Sequence, residues 1–148
     1  MTVDSIAKGR AVVLSAEVRA TSLSEHVSDE VIAVGVELAR AADDVKGEGV
    51  RLLDLRGRCS YTDLMLFVSG ASDRQVRSIA DRVSKRAIDL GLPSLGLEGS
   101  ESGNWMLVDH GDIVVHVFYR PARMYYDLES LWADAPEIKL PFESQSAF

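Results

Sequence analysis

The sequence predicts an α/β fold, a mixed β-sheet of about five strands with helices flanking it. Three observations predict it. Residues 73–90 carry a capped amphipathic helix between two extended segments. Residues 104–119 read as a β-hairpin whose second strand is apolar on both faces, as suits a strand covered from both sides. A first amphipathic helix precedes both, so helices and short strands alternate along the chain.

The composition is that of a globular protein. With 148 residues, 47% hydrophobic and 26% charged, the chain has enough apolar material for one core without staples. The single cysteine, Cys59, excludes an internal disulfide and cannot by itself form a thiolate metal site. No apolar run is long enough to span a membrane, and Val12-Val13-Leu14 is too short for a signal peptide, so a cytoplasmic protein is the expectation. A net charge of −7 disfavours sequence-independent nucleic-acid binding, because that affinity comes from cations neutralising phosphates. Contact with a nucleic-acid machine is better made through one of its proteins.

Taken in order, residues 1–27 show no sustained period and are expected to form a loosely packed extension. Ser28 is a good helix N-cap, with Asp29 and Glu30 behind it at the positive end of the helix dipole. Val31, Val34, Leu38, Ala41 and Ala42 make one apolar face, and Lys46-Gly47-Glu48-Gly49 ends that helix. Residues 50–55 and 64–69 are short strands joined so closely that they should be antiparallel neighbours. Ser72 and Gln75 have capping-box spacing, and Val76, Ile79, Ala80, Val83 and Ala87 repeat as a core-facing stripe. Gly91 and Pro93 stop that helix. Residues 95–98 are a short strand. The hairpin follows, with His110-Gly111 as its turn. Pro121 closes the last strand. Tyr125, Leu128, Leu131 and Trp132 then fall at the spacing of one short amphipathic helix. The boundaries expected are an extension over 1–27, a domain over 28–134 and an extended tail over 135–148.

The candidates for chemistry are thin. Gly70-Ala71-Ser72 precedes a helix start where amides can hold a phosphate, but it lacks the P-loop ending and the dinucleotide fingerprint. A nucleotidyltransferase also needs paired carboxylates for its metals, and Asp54 and Asp63 are isolated in sequence. His116, between two valines, reads as a hydrogen-bonded core histidine, and His26 and His110 do not share metal-ligand spacing with it. Arg74, Arg77, Arg82, Lys85 and Arg86 make one helix basic, which is a solvated face or a contact for an anionic partner. Trp105 and Tyr126 are open to two readings, core aromatics or interface anchors. No catalytic site assembles from these residues, which leaves a binding protein as the physical reading.

The order of motifs is more specific. Leu53-Asp54, Thr62-Asp63, Phe67-Val68-Ser69-Gly70-Ala71-Ser72, Arg74-Gln75-Val76 and Ile79-Ala80-Asp81 resemble the first half of the ribosomal silencing factor family, also called Iojap. Glu98-Gly99, Trp105, Leu107, Asp109, Asp112, Val114-Val115-His116-Val117-Phe118, Arg123 and Tyr126-x-Leu128-Glu129-x-Leu131-Trp132 resemble its second half. Ala71 stands where serine or threonine is commoner, and the resemblance covers roughly residues 28–134.

That resemblance implies a nucleotidyltransferase-like fold without catalytic carboxylates, not an enzyme, with no cofactor and no metal. It implies binding to the large ribosomal subunit through universal ribosomal protein fourteen, so that the small subunit is sterically kept from joining and translation is repressed, chiefly in nutrient limitation. It implies a protein that is often homodimeric when free, and neither a membrane nor a specific nucleic-acid sequence is expected as partner. By resemblance the contact residues are Trp105, Met106, Tyr126 and Leu128, with Arg123 and Glu129 as polar fixers. The alternative is a nucleotide-binding or nucleotidyltransferase-like domain using the turn at Gly70.

Overall fold

The computed structural model describes residues 17–99 and 103–145, and the side chains from Asp29 onward within the first helix. The elements are α1 (Glu17–Asp44), β1 (Glu48–Asp54), β2 (Leu64–Gly70), α2 (Asp73–Asp89), β3 (Gly96–Gly99), β4 (Trp105–Asp109), β5 (Ile113–Tyr119), α3 (Arg120–Tyr126), a 3-10 turn (Leu128–Trp132) and β6 (Glu137–Ile138). The mixed α/β architecture expected from the sequence is present, with six strands in the order β3-β4-β5-β2-β1-β6. Among the strands of the described residues, the central pair, β2 and β5, is parallel and the other neighbours are antiparallel. Both central strands are buried along nearly their whole length, which explains their unbroken apolar character.

Alternation along the strands divides the core in two. Leu52, Leu66, Val68, Val115 and Val117 face α1 and α2, where they meet Leu38, Ile79 and Val83. Leu53, Met65, Phe67, Val114 and Phe118 face the other way, under the short α3 and the 3-10 turn. One face is thus roofed by two long helices and the other by about three turns of chain.

The helix ends follow their sequence signals closely. The hydroxyl of Ser72 accepts from Gln75 N at 3.1 Å, and Gln75 Oε1 accepts from Ala71 N at 2.7 Å, so the start of α2 is capped from both directions. The five residues of the expected stripe are the five that α2 buries. Gly91, at φ 85°, takes the left-handed position after α2. After α1 the same position falls to Lys46, at φ 64°, with Lys46 N bonded to Asp43 O and Gly47 N to Ala42 O.

Several expectations change. The first helix runs from Glu17, so Ser28 lies inside it and does not cap it. Residues 17–27 contain no glycine or proline, and a serine able to cap stops a helix only where the chain turns. Of the expected extension, residues 1–16 lie outside the described residues. The hairpin turn is centred one residue later, on Gly111-Asp112, because His110 N bonds Ile113 O and only Gly111 has positive φ. The single helix expected after Pro121 is broken at Asp127, which adopts φ 46° and ψ 44°. The segment after Pro136 contributes a strand: Ile138 pairs with Leu52, Glu137 with Leu53, and Ser144 Oγ accepts from Val50 N at 2.8 Å. Two residues of pairing carry no readable period, so only tertiary contact reveals that strand.

Candidate docking surface

Cross-strand pairing sets which residues can share a surface. Trp105 pairs with Phe118 and Leu107 with His116, so both project to the thinly roofed face. Met106 pairs with Val117 and packs against the helix-side core. The structure therefore gathers Trp105, Tyr126 and Leu128 on one face and leaves Met106 on the other.

Trp105 is the centre of an aromatic group. Its ring lies 5.3 Å from that of Phe118, 5.0 Å from Tyr126 and 5.9 Å from His116. Tyr126 in turn meets Tyr125 edge-on at 5.2 Å. The inner members are buried and the outer ones are not. Tyr125 is 83% exposed, Leu131 71%, Met124 65% and Tyr126 48%. Tyr125 and Leu131 fall at the spacing of one amphipathic helix in the sequence, yet they are among the most exposed apolar side chains. After the break at Asp127, Leu128 and Trp132 pack on the sheet, while within α3 Met124 and Tyr125 face outward and Tyr126 meets Trp105. Three consecutive large apolar residues cannot all face one side of a helix, and that was the readable signal.

Arg123 and Glu129 work inside the protein. Arg123 is 3% exposed. Its Nη1 donates to Ser69 Oγ at 3.0 Å and to the Glu48 carbonyl at 3.3 Å, while Glu129 accepts from Nε at 2.7 Å. Arg51 also reaches Glu129, and extends the chain of charges to Glu137 in β6 at 2.7 Å. Burial alone pushes the Glu129 carboxyl up, but the guanidiniums of Arg123 and Arg51 outweigh it and hold the pKa below the usual value. The pair thus ties α3 and the 3-10 turn to β1 and β2. Exposed Glu98 sits opposite Leu107 on the same face as Trp105, and exposed Asp127 flanks the turn, so the apolar surface has acidic neighbours.

The other candidates resolve as follows. His116 is 3% exposed and accepts from Trp105 Nε1 at 3.1 Å, as a hydrogen-bonded core histidine should. Three of the five basic residues of α2 face acids, as on a solvated face: Arg77 meets Asp73, Arg82 meets Asp44 and Arg86 meets Glu37. A depression of about 270 Å³ lies at Ala71, Ser72, Asp73, Asn104 and Tyr119, beside the turn after β2. The Ala71 and Gln75 amides there are already capped, and Asp73 places a carboxylate where a phosphate needs cations. Among the described residues no three His, Cys, Asp or Glu side chains cluster to hold a metal. Nor is any described helix long and apolar enough to cross a membrane.

A family model described as "Ribosomal silencing factor during starvation" matches residues 28–147. The chain belongs to the ribosomal silencing factor family. The match runs on through the segment after Pro136 that pairs with β1. The ribosomal silencing factor RsfS of Halalkalibacterium halodurans is 44% identical over 100 residues, covering 68% of this chain and 86% of that one. That of Bacillus subtilis is 42% identical over 104 residues, covering 70% and 88%. Among solved structures, a Chromobacterium violaceum protein superposes with a TM-score of 0.64 at 35% identity, covering 78% of this chain and 93% of that one. This silencing factor family therefore accounts for both the sheet and the motifs that run across it.

Proposed function

We propose that this protein docks on the large ribosomal subunit and sterically keeps the small subunit from joining, so that translation falls when nutrients are scarce. Membership of the silencing factor family supports the target. The observation that carries the mode of binding is the partly buried Trp105, stacked on Phe118 and tilted against Tyr126 on the sheet face that lacks long helices. Aromatic anchors seated on a rigid scaffold and ringed by near-neutral contacts are the usual hot spots of protein interfaces.

Trp105, Tyr126 and Leu128 form the contact, with Tyr125 and Met124 beside them. Arg123 and Glu129 hold this surface in place from below, and Met106 supports β4 from its other face. The partner is a basic protein surface, universal ribosomal protein fourteen by family resemblance, because Glu98 and Asp127 favour cations and a net charge of −7 opposes RNA. A free homodimer using the same apolar face fits this reading, since its exposed side chains need cover in the absence of the ribosome.

Co-sedimentation with purified large subunits tests the reading. Wild-type protein should pellet with them, and Tyr125→Glu and Trp105→Glu should weaken that by roughly thirtyfold, the loss expected from about 2 kcal/mol at an anchor. Wild-type protein that stays in the supernatant at micromolar concentrations would remove the proposal.

A further inference from the structure

Trp105 is partly buried on the sheet, and its indole nitrogen turns inward to donate to His116 Nδ1 at 3.1 Å. The imidazole that receives it is held firmly. It stacks on Phe67 at 5.2 Å with 12° between the planes, and lies 6.1 Å from Phe118 at 15°. Because the indole N–H can only donate, Nδ1 must present its lone pair, and the ring proton sits on Nε2. That Nε2 is buried with no hydrogen-bond partner among the described residues. A buried donor without a partner is costly. Phenylalanine in the same place would keep the stack and avoid the cost. What histidine adds is an acceptor aimed at Trp105.

An indole held on a sheet surface by stacking alone retains rotamer freedom, and that freedom is lost when a partner closes over it. The bond to Nδ1 favours the orientation in which the ring lies between Phe118 and Tyr126. Burial keeps His116 neutral at ordinary pH, so the lone pair is always available.

We propose that His116 is the positioning residue of the docking surface, its Nδ1 locking Trp105 in the orientation that a partner meets. The proposal rests on the docking reading above. An anchor ordered in advance spares the complex the entropy of ordering it, and the gain appears as affinity.

Nuclear magnetic resonance and binding together test this. In wild-type protein, a scalar coupling across the hydrogen bond should connect the Trp105 indole nitrogen to His116 Nδ1. Asparagine and leucine are nearly the same size, but only asparagine offers an oxygen close to the Nδ1 position. His116→Leu should move the Trp105 indole proton upfield and weaken binding to purified large subunits by about five- to tenfold. His116→Asn should restore both. Should the leucine variant fail to fold, His116→Phe keeps the stack and lacks the acceptor, and replaces it in the comparison. Absence of the coupling in wild-type protein overturns the proposal, as does a folded leucine or phenylalanine variant that binds as tightly as wild type. Trp105→Ala, measured alongside, separates the two failures. Unchanged binding there removes the docking surface itself. Binding lost there but kept without the acceptor removes only the role of His116.

Discussion

Arg123 and Glu129 close a two-bonded ion pair across the break in the last helix, with Arg123 Nε 2.7 Å from Glu129 Oε1 and Nη2 3.2 Å from Oε2. Asp127, the residue in left-handed conformation, lies between them in sequence. The pair ties the two sides of the break together, with Arg123 buried and Tyr125 exposed on opposite sides of α3.

Arg123→Ala should therefore destabilise the fold by about 3 kcal/mol, because the partly buried carboxylate of Glu129 loses its bidentate partner. Arg123→Lys should recover little of this, since an ammonium cannot satisfy Glu129, Ser69 and the Glu48 carbonyl together. Urea unfolding of the three proteins checks both statements.

Acid should weaken the protein in two stages. The folded pKa of His116 is pushed by burial from 6.5 to about 4, below its unfolded value. Above pH 6.5 both states are neutral there and nothing is lost. As pH falls from 6.5 towards 4 the unfolded state takes the proton first, so stability declines, by about 3 kcal/mol across that window. Glu129 acts lower. Burial opposes its ionisation, but Arg123 and Arg51 win and depress its pKa, so its contribution is complete above 4.5 and lost as pH falls through the folded value. Urea midpoints between pH 7 and pH 3 should show both stages, and His116→Phe should flatten only the upper one.

The end of α1 predicts two substitutions of opposite sign. Lys46 holds φ 64°, which costs an L-residue about 1 kcal/mol or more, so Lys46→Gly should stabilise by roughly 0.5 kcal/mol after the added freedom of the unfolded chain is counted. At Gly47 a Cβ would lie 2.7 Å from the Ala42 carbonyl oxygen and 2.6 Å from Val68 Cγ2. The backbone oxygen cannot yield without breaking the bond it accepts from Gly47 N, so Gly47→Ala should destabilise by about 2 kcal/mol. Thermal melts of both variants test the signs.

What was legible in the sequence was local. The cap at Ser72, the stripe from Val76 to Ala87 and the doubly apolar β5 each announce themselves within a few residues, and each is present. The antiparallel pairing of β1 and β2 followed from the short link between them. The strand at Glu137–Ile138 was not legible, because pairing with β1 and not any internal pattern makes it a strand. The start of α1 was misread because Ser28 suits a cap, although the helix passes through it. On the thinly roofed face, Trp105 lies with Tyr126 and Leu128, which the short spacing between Tyr126 and Leu128 alone does not reveal. The opposite placement of Met106 follows from strand alternation, which was available in the residues from Trp105 onward. The inward roles of Arg123 and Glu129 depend on Ser69 and Arg51, more than 50 residues earlier in the chain, and no local pattern encodes them.

The most direct test of the silencing reading is subunit joining. Purified small and large subunits are mixed under coupling conditions with increasing protein, and the coupled ribosome peak is measured on sucrose gradients. The account predicts that wild-type protein suppresses the peak and leaves free subunits. It also predicts that Trp105→Glu, shown to be folded by its thermal melt, leaves the peak intact. A coupled peak unaffected by saturating wild-type protein, or suppressed equally by Trp105→Glu, would contradict it.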